Sequence, residues 1–372
     1  MRYYIVSGER SGDVHGGNLI NALKKLDTKA TFRGFGGDNM KNAGLDLVQH
    51  YNQMAWMGFL TMFTTYNKMI ALLKFCKQDI LLFHPDVVIL IDYGGFNIRV
   101  AQFAKLNHIL SFYYIPPKIW AWNQRRIKKI KAYVDRLFVI LPFEKPFYKK
   151  FGLNADFVGS PSLDVVKDFK VNPQFLNIHR LSELKPIVAL LPGSRSMELK
   201  KIVPLMSEVV IRNSQYQFVV ATVDGLDESL YEPLEKLPQV KCVSNDTYNI
   251  LAHAKAAIVT SGTATLEAGL FKVPQVCVYK STWFEMKLAK LFVYVKFISL
   301  INLIANKLVI KELIQEDATA MRVGEELVAI LTVGEYRSKM MLEYEKIIEK
   351  LDIGKASENT ARLMVQYLSE KR

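Results

Sequence analysis

The stretch Ile187–Lys200, IVALLPGSRSMELK, decides how the rest of the chain is interpreted. Its five leading apolar residues predict a buried strand, the Pro-Gly-Ser sequence ends that strand, and a helix follows. Such a junction presents backbone N–H groups and the positive end of a helix dipole, and a guanidinium adds donors suited to phosphate oxygens. We therefore expect an anion site at Gly193, Ser194 and Arg195. The spacing fits neither a P-loop nor a dinucleotide fingerprint, and an ordinary turn with a solvated arginine is the alternative.

A second stretch, Ala257–Ala268 (AIVTSGTATLEA), repeats the pattern of strand, small-residue loop and helix start. Two such loops can meet at the carboxyl edge of one parallel sheet, where open α/β sheets bind their ligands. Glu267, one turn into the helix, could accept both hydroxyls of a ribose, or it could be only a partner of the helix dipole. The loop's candidate capping and ligand residues are Ser261, Gly262, Thr263 and Thr265.

The composition predicts a large globular protein with an anionic partner. At 372 residues, half of them apolar, the chain is long enough for two domains. Lysine and arginine outnumber aspartate and glutamate by 49 to 36, and the charge of +13 suits nucleic acid, a membrane surface or a phosphorylated substrate. Cys76, Cys242 and Cys277 lack metal-site spacing, and Met1 leads into a strand without a signal-peptide pattern. These features predict a cytoplasmic protein without a metal, and no apolar run is long enough to span a bilayer.

The first half of the chain predicts a parallel sheet with two acidic loops. The strand Tyr3–Ser7 is followed by GERSGD, whose glycines let the backbone turn tightly and approach a ligand, although it could also be only a glycine-rich first turn. The candidate site residues of this loop are Glu9, Ser11, Gly12 and Asp13. The strand Asp86–Ile91 ends at Asp92, which could be a general base or a cap for the next helix, expected from about Asn97.

Two further segments suggest contact with lipid. Tyr51–Phe75 is dense in methionine and aromatic residues, and its first charge is Lys68, so it predicts either core or a surface for acyl chains. Trp120 and Trp122 precede a basic helix, which is either a solvated face or a binding surface for phosphate or anionic lipid. The candidate lipid or membrane residues are Trp56, Met57, Phe59, Met62, Phe63, Trp120, Trp122, Arg125 and Arg126.

The alternation of strands and helices predicts two α/β lobes of Rossmann type with a cleft between them. A polar connection before the strand at Ile187 suggests a boundary, and we assign residues 1–170 to an acceptor and lipid-binding lobe and 171–372 to a nucleotide-binding lobe. Whether the last helices pack back on the first lobe stays open.

Six motifs in order resemble those of the lipid-A-disaccharide synthase family, and the resemblance covers nearly the whole chain. The family's GEASGD, PSVWAW, LPFEKxFY, LLPGSR, SGTATLE and SLPNLLAGRELVxELLQEE match sequences that start at Gly8, Pro117, Leu141, Leu190, Ser261 and Ser299. The family's IDAPDFN is here IDYGGFN, which keeps Asp92 and loses the second acid. Lys307 replaces an arginine of the last motif, and lysine cannot form a bidentate fork.

The resemblance implies an inverting glycosyltransferase of the two-lobed GT-B architecture. The implied reaction transfers 2,3-diacylglucosamine from its UDP ester to 2,3-diacylglucosamine 1-phosphate without a cofactor or metal, at the cytoplasmic surface of the inner membrane. Asp92 would be the base, with Glu9 and Asp13 of the first loop as alternatives, and Arg195 would stabilise the leaving UDP. Glu267 would hold the ribose, with Asn302, Gln315 and Glu316 nearby. No nucleic acid is implied, and an oligomer is left open.

The sequence is also compatible with two other functions. One is another UDP-sugar transferase or an epimerase of the same architecture, which would share the nucleotide loops but would have little use for the apolar segment Tyr51–Phe75. The other is a non-catalytic protein that binds a membrane or nucleic acid through its basic helix. That reading leaves both glycine-rich loops without a role.

Overall fold

The structure is a computed structural model that describes residues 1–54, 62–121, 124–260, 262–281 and 295–370, with the side chains of residues 62–66 left out. The chain divides by its contacts into two units. The first unit is Met1–Pro161 together with the segment that begins at Asp352, and the second unit is Ser162–Leu351.

This division comes earlier in the chain than the boundary expected after residue 170. The connection before Ile187 belongs to the second unit because its residues contact that unit's helices. The backbone N–H of Asn172 donates to Asn249 Oδ1 at 2.8 Å, and the Phe169 ring packs edge-on against Tyr248.

Strands and helices alternate along most of the described chain, which ends in three successive helices. The strands are β1 Arg2–Ser7, β2 Thr31–Gly36, β3 Asp46–His50, β4 Val87–Ile91, β5 Leu110–Tyr114, β6 Arg136–Val139, β7 Ala155–Phe157, β8 Ile187–Leu191, β9 Gln217–Thr222, β10 Val240–Ser244, β11 Ala256–Thr260, β12 Gln275–Tyr279 and β13 Glu312–Ile314. The helices are α1 Arg10–Leu26, α2 Asp38–Asn42, α3 Met62–Phe83, α4 Gly94–Leu106, α5 Ile127–Tyr133, α6 Glu144–Lys149, α7 Pro161–Asp168, α8 Phe175–Ile178, α9 Ser196–Arg212, α10 Glu232–Glu235, α11 Thr247–His253, α12 Thr263–Leu270, α13 Leu300–Ala305, α14 Ala320–Leu331, α15 Glu335–Leu351 and α16 Ala356–Ser369. Short 3-10 turns lie at Tyr51–Gln53, Gln124–Arg126, Glu228–Leu230 and Gln315–Asp317.

The first unit is built on a parallel sheet with the strand order β3-β2-β1-β4-β5-β6-β7. Strands β1 and β4 are buried almost throughout, as expected where helices cover both faces of a parallel sheet. Alternate residues of these strands face opposite sides, so Tyr4 and Val88 join one apolar cluster while Tyr3 and Val87 join the other.

Helix α16 packs on α1 and completes the second of these clusters through Met364 and Leu368. Polar contacts support this position: Asn359 Nδ2 donates to the Val158 carbonyl at 3.1 Å, and the Tyr367 hydroxyl donates to Asp156 Oδ2 at 2.9 Å. The last helix of the described chain is therefore part of the first unit.

The second unit is built on a six-stranded parallel sheet with the order β10-β9-β8-β11-β12-β13. Strands β8 and β11 lie side by side and are buried at every residue. Both sheets confirm the prediction of two parallel α/β units of Rossmann type.

In both sheets the strand order reverses between two central neighbours, β1 and β4 in the first unit and β8 and β11 in the second. The connections that follow two such strands go to opposite faces of the sheet. They leave a crevice beyond the carboxyl ends of the strands, where open α/β sheets bind ligands. The four loops that the sequence selects follow these four strands. The described chain contains no helix that is both long and apolar enough to cross a bilayer.

Candidate functional site

The loop between β8 and α9 has the form of an anion-binding turn. Gly193 has φ +110°, and a Cβ at this position would lie 2.6 Å from Glu198 Oε2, so only glycine fits without displacement. Ser194 is exposed, and Arg195 precedes α9 in an extended conformation. The Arg195 side chain is 81% exposed and pairs with Glu198 Oε1 at 3.4 Å. The loop thus presents a guanidinium beside the positive end of a 17-residue helix.

The loop between β11 and α12 is held by one buried hydroxyl. Gly262 has φ +114°, and a Cβ there would meet open space within the described chain. Thr265 Oγ1 donates to the Gly262 carbonyl at 2.8 Å and accepts from the Leu300 N–H at 3.1 Å. Thr265 therefore shapes the loop, whereas Thr263 is exposed at the start of the helix. Ser261 lies outside the described residues.

Glu267 lies on α12 with most of its side chain buried. The Tyr248 hydroxyl donates a hydrogen bond to Glu267 Oε1 at 3.0 Å. Burial raises the pKa of Glu267, and the bond from Tyr248 lowers it in part. Tyr248 was missed by the sequence reasoning, because nothing in the residue pattern links α11 to a carboxylate on the next helix.

Asn302 and Gln315 hold the chain around β13 rather than extending toward solvent. The Asn302 side chain is fully buried; its oxygen accepts from the N–H groups of Val309 and Ile310, and its amide donates to the Ile310 carbonyl and to Glu312 Oε1. Asn302 is therefore saturated by the protein, contrary to the expectation that it binds substrate.

The Gln315 amide forms two bonds with the backbone of Ser281, at 2.9 and 3.2 Å. These bonds extend the pairing of β13 with the end of β12. Glu316 is exposed in the turn that follows β13.

Asp92 follows β4 in the first unit and has a left-handed backbone with φ +47°, as does Tyr93. Such a conformation is unfavourable for residues other than glycine and persists where surrounding contacts fix it. The Asp92 carbonyl accepts from Asn97 Nδ2 at 2.8 Å and from the Tyr113 hydroxyl at 2.7 Å. Its N–H donates to the Ile115 carbonyl at 3.2 Å. These three bonds fix the backbone of Asp92 at the edge of the sheet.

The environment of Asp92 makes its carboxylate a stronger base than an exposed aspartate. Burial raises its pKa, and the charge of Lys118 and a bond from the Tyr93 N–H lower it in part. Helix α4 begins at Gly94, directly after Tyr93, and not near Asn97 as expected. The alternative role of Asp92, a cap for a helix starting at Asn97, therefore does not apply.

The loop GERSGD separates its acids into two different environments. The Asp13 carboxylate is fully buried and accepts four hydrogen bonds, from the N–H groups of Gly37, Asn39 and Met40 and from Asn39 Nδ2. Four bonds fill the capacity of a carboxylate, so Asp13 anchors the start of α2 and is not available to a substrate.

The remaining members of this loop lie at the surface or against the neighbouring loop. Glu9 and Ser11 are exposed. The pKa of Tyr93 is raised mainly by burial and in smaller part by the negative charge of Glu9. A Cβ at Gly8 would lie 2.4 Å from the Tyr93 ring, and one at Gly12 would lie 2.3 Å from Ser7 Oγ. The two loops at the switch point of the first sheet are thus packed together, and Glu9 lies close to Tyr93, the residue after Asp92.

Trp120 is not on a lipid-facing surface. It is 6% exposed, and its indole N–H donates to the buried Glu144 carboxylate. Trp122 lies outside the described residues. Arg125 is exposed and Arg126 is half-buried, and the exposed residues Lys128, Lys129 and Lys131 continue a basic surface along α5.

The apolar segment before α3 is described only in part. Trp56, Met57 and Phe59 lie outside the described residues, as do the side chains of Met62 and Phe63. Met54 is 5% exposed and belongs to the core, so it is not a surface residue. Helix α3 nonetheless exposes four large apolar side chains between residues 70 and 82, and these are Ile70, Phe75, Leu81 and Leu82.

Within the described residues, no cluster of three His, Cys, Asp or Glu side chains has the arrangement of a metal site. The two sheet edges present the Arg195 guanidinium and the mostly buried Glu267 carboxylate in the second unit, and the Asp92 carboxylate with its raised pKa in the first.

Sequence comparisons agree over nearly the full length of the chain. A family model described as lipid-A-disaccharide synthetase matches residues 3–366. The lipid-A-disaccharide synthase of Syntrophus aciditrophicus is 38% identical, with 98% of this chain and 97% of that protein covered. The enzyme of the same name from Coxiella burnetii is 34% identical, with 97% and 96% covered.

Solved structures show the same fold at low sequence identity. The UDP-GlcNAc 2-epimerase of Neisseria meningitidis, bound to UDP-GlcNAc, matches with a TM-score of 0.66 at 13% identity and covers both chains completely. CalG4, the calicheamicin glycosyltransferase, matches with a TM-score of 0.64 at 13% identity, with 99% of this chain and 98% of that chain covered.

Proposed function

The chain belongs to the lipid-A-disaccharide synthase family, and we propose that it transfers 2,3-diacylglucosamine from its UDP ester to the 6-hydroxyl of 2,3-diacylglucosamine 1-phosphate. The protein is a glycosyltransferase of lipid A disaccharide synthesis. The products of the proposed reaction are UDP and a tetraacyl disaccharide 1-phosphate. The observation that carries the proposal is that the loops with Arg195 and Glu267 follow β8 and β11, the two strands at the switch point of the second sheet.

The second unit is proposed to bind the UDP part of the donor. The diphosphate would lie at the start of α9, where backbone N–H groups and Arg195 can donate to its oxygens. Glu267 would accept hydrogen bonds from the ribose hydroxyls. Arg195 would also stabilise the negative charge that develops on UDP as the glycosidic bond breaks.

The first unit is proposed to supply the base. Inversion requires the acceptor hydroxyl to lose its proton as its oxygen attacks the anomeric carbon, while the bond from that carbon to the diphosphate breaks. Asp92 is the best candidate because its backbone is fixed by three bonds and its pKa is raised by burial. Glu9, exposed on the adjacent loop, is the alternative.

The protein is further proposed to bind the cytoplasmic surface of the inner membrane without spanning it. Exposed apolar side chains on α3 and the basic surface of α5 would combine, since apolar burial and attraction to anionic lipid together give stable attachment. Both substrates carry acyl chains, so such attachment would place the enzyme where they reside.

The direct test of this function is to incubate the purified protein with both lipid substrates and identify the products by mass spectrometry. We expect a tetraacyl disaccharide 1-phosphate and one equivalent of UDP. The control reaction contains UDP-N-acetylglucosamine, with or without the lipid acceptor. Epimerisation or transfer of N-acetylglucosamine, with no disaccharide from the acylated donor, would instead identify another UDP-sugar enzyme of this fold.

A further inference from the structure

The Glu267 carboxylate is held by an aromatic residue from a different helix. Tyr248 lies in the first turn of α11, and its hydroxyl donates to Glu267 Oε1 at 3.0 Å. The bond takes one of about four acceptor positions on the carboxylate, so enough remain for two ribose hydroxyls.

Two phenylalanines fix the ring that carries this hydroxyl. Phe169 packs edge-on against Tyr248 with centroids 5.4 Å apart, and Phe271 lies 5.3 Å away at 53°. Phe169 and Phe271 also pack edge-on against each other, with centroids 5.7 Å apart. Three mutually packed rings leave the Tyr248 hydroxyl little freedom, so it reaches one defined place beside α12.

The charge balance at Glu267 depends on the same bond. Burial raises the pKa of Glu267, and the hydrogen bond from Tyr248 is the opposing effect. A protonated carboxyl donates through one oxygen and loses acceptor capacity, so it would hold a ribose diol less well than the carboxylate does. The bond therefore favours the form of Glu267 that can accept two hydroxyls.

We propose that Tyr248 is a positioning residue of the donor site, whose hydroxyl holds the Glu267 carboxylate in the orientation that accepts the ribose hydroxyls of a uridine nucleotide. This inference rests on the proposed function, which places the ribose at Glu267. In this role Tyr248 acts on the nucleotide through Glu267.

The experiment measures UDP affinity by titration calorimetry between pH 5 and 8 for wild type, Tyr248→Phe and Glu267→Gln. The control is Tyr336→Phe, because Tyr336 donates a similar bond to Glu326 elsewhere in the second unit. Titration of the UDP phosphate is common to all proteins and cancels in the comparison. Melting temperatures confirm that each variant is folded.

We expect Tyr248→Phe to bind UDP roughly three- to tenfold more weakly at pH 7, the size of one ordinary hydrogen bond, because Tyr248 acts on UDP only through Glu267. As the pH is lowered, the UDP affinity of Tyr248→Phe should also begin to fall at a higher pH than that of wild type. The reason is that the hydrogen bond that lowers the pKa of Glu267 is gone. Glu267→Gln should lack this pH dependence, and Tyr336→Phe should follow wild type.

The outcomes separate the two claims. If Glu267→Gln binds UDP as wild type does at every pH, the ribose is not at Glu267 and the proposed donor site is wrong. If Glu267→Gln is weakened while Tyr248→Phe follows wild type across the pH range, the donor site stands and the role of Tyr248 is refuted.

Discussion

Trp120 Nε1 donates a hydrogen bond to Glu144 Oε1 at 2.9 Å, and this bond joins the loop after β5 to the start of α6. Glu144 Oε2 accepts from the N–H groups of Ile140 and Leu141, at 3.2 and 3.0 Å. Burial raises the pKa of this carboxyl to about 7, against the opposing effect of its three hydrogen bonds and of Lys118. Trp120 and Glu144 belong to two of the family motifs, and their bond gives Glu144 a structural role. Glu144 is therefore a buried acid whose pKa lies near neutrality.

Glu144 should make the stability of the protein depend on pH. The folded state binds the proton more tightly than the unfolded chain, so this group's contribution is fully present below pH 4.5 and is lost as the pH rises through about 7. Glu144→Gln cannot titrate. The difference in unfolding free energy between variant and wild type should therefore shift by roughly 3 kcal/mol in the variant's favour between pH 4 and 8. Urea unfolding across this range measures it, with the exposed Glu325→Gln as control; a constant difference would contradict the assignment.

Asn97→Ala should impair turnover as well as stability. The buried Asn97 amide donates to the carbonyls of Val6, Ile91 and Asp92, so its loss leaves buried acceptors unpaired, at a cost of about 2 to 3 kcal/mol. Because the Asp92 backbone is then less fixed, kcat should fall on the order of tenfold. Asn213→Ala, which removes a buried amide bonded to the Val209 carbonyl, is the matched control and should lose stability with kcat unchanged. Equal kcat in both variants would remove Asn97 from the site.

Lys118→Ala should move the acidic limb of the pH–rate profile to higher pH. Asp92 acts as a base only when ionised, so activity falls as the pH drops through its raised pKa. The charge of Lys118 lowers that pKa, and its removal raises it further. The exposed Lys128→Ala, on the basic surface of α5, should leave the limb in place. A limb that does not move in Lys118→Ala would show that Asp92 does not govern the acidic side of the profile.

Vesicle binding should depend on α3 and on salt. Leu82 is 78% exposed, and loss of an apolar side chain of this size from a membrane contact costs about 1.5 to 3 kcal/mol, so Leu82→Ser should weaken binding to anionic vesicles at least tenfold. High salt should release wild type only in part, because it screens charge and leaves apolar burial intact. Leu184→Ser, at a position that is 94% exposed in the second unit, is the control. Equal loss in both variants would exclude a specific role for α3.

The central strands could be predicted because they are continuous apolar runs. Ile187–Leu191 has the predicted bounds, and the predicted strands Tyr3–Ser7 and Asp86–Ile91 differ from β1 and β4 by one residue each. The edge strands β3 and β13 were missed. DLVQH is half-buried and mixed in character, and β13 has only three residues, so neither carries the pattern of a buried strand.

The loops of the candidate site could be predicted, but the roles of several side chains could not. Asp13 and Asn302 are saturated by backbone groups and one side chain each, Asn39 and Glu312, that the fold brings to them, and sequence spacing does not reveal such partners. The same is true of Tyr248, which meets Glu267 only because α11 and α12 flank neighbouring parts of the sheet. The polarity of a residue shows that it needs partners, whereas the fold determines whether those partners are protein or ligand.

The turnover of Asp92→Asn tests the central claim most directly. The variant keeps the shape of the side chain and removes the base, so it should bind UDP as wild type does and lose on the order of a hundredfold or more in kcat. The measurement is UDP release from the acylated donor and acceptor, with Glu9→Gln assayed in parallel and UDP affinity determined for both. A nearly fully active Asp92→Asn beside an inactive Glu9→Gln would contradict the account and assign the base to the first loop.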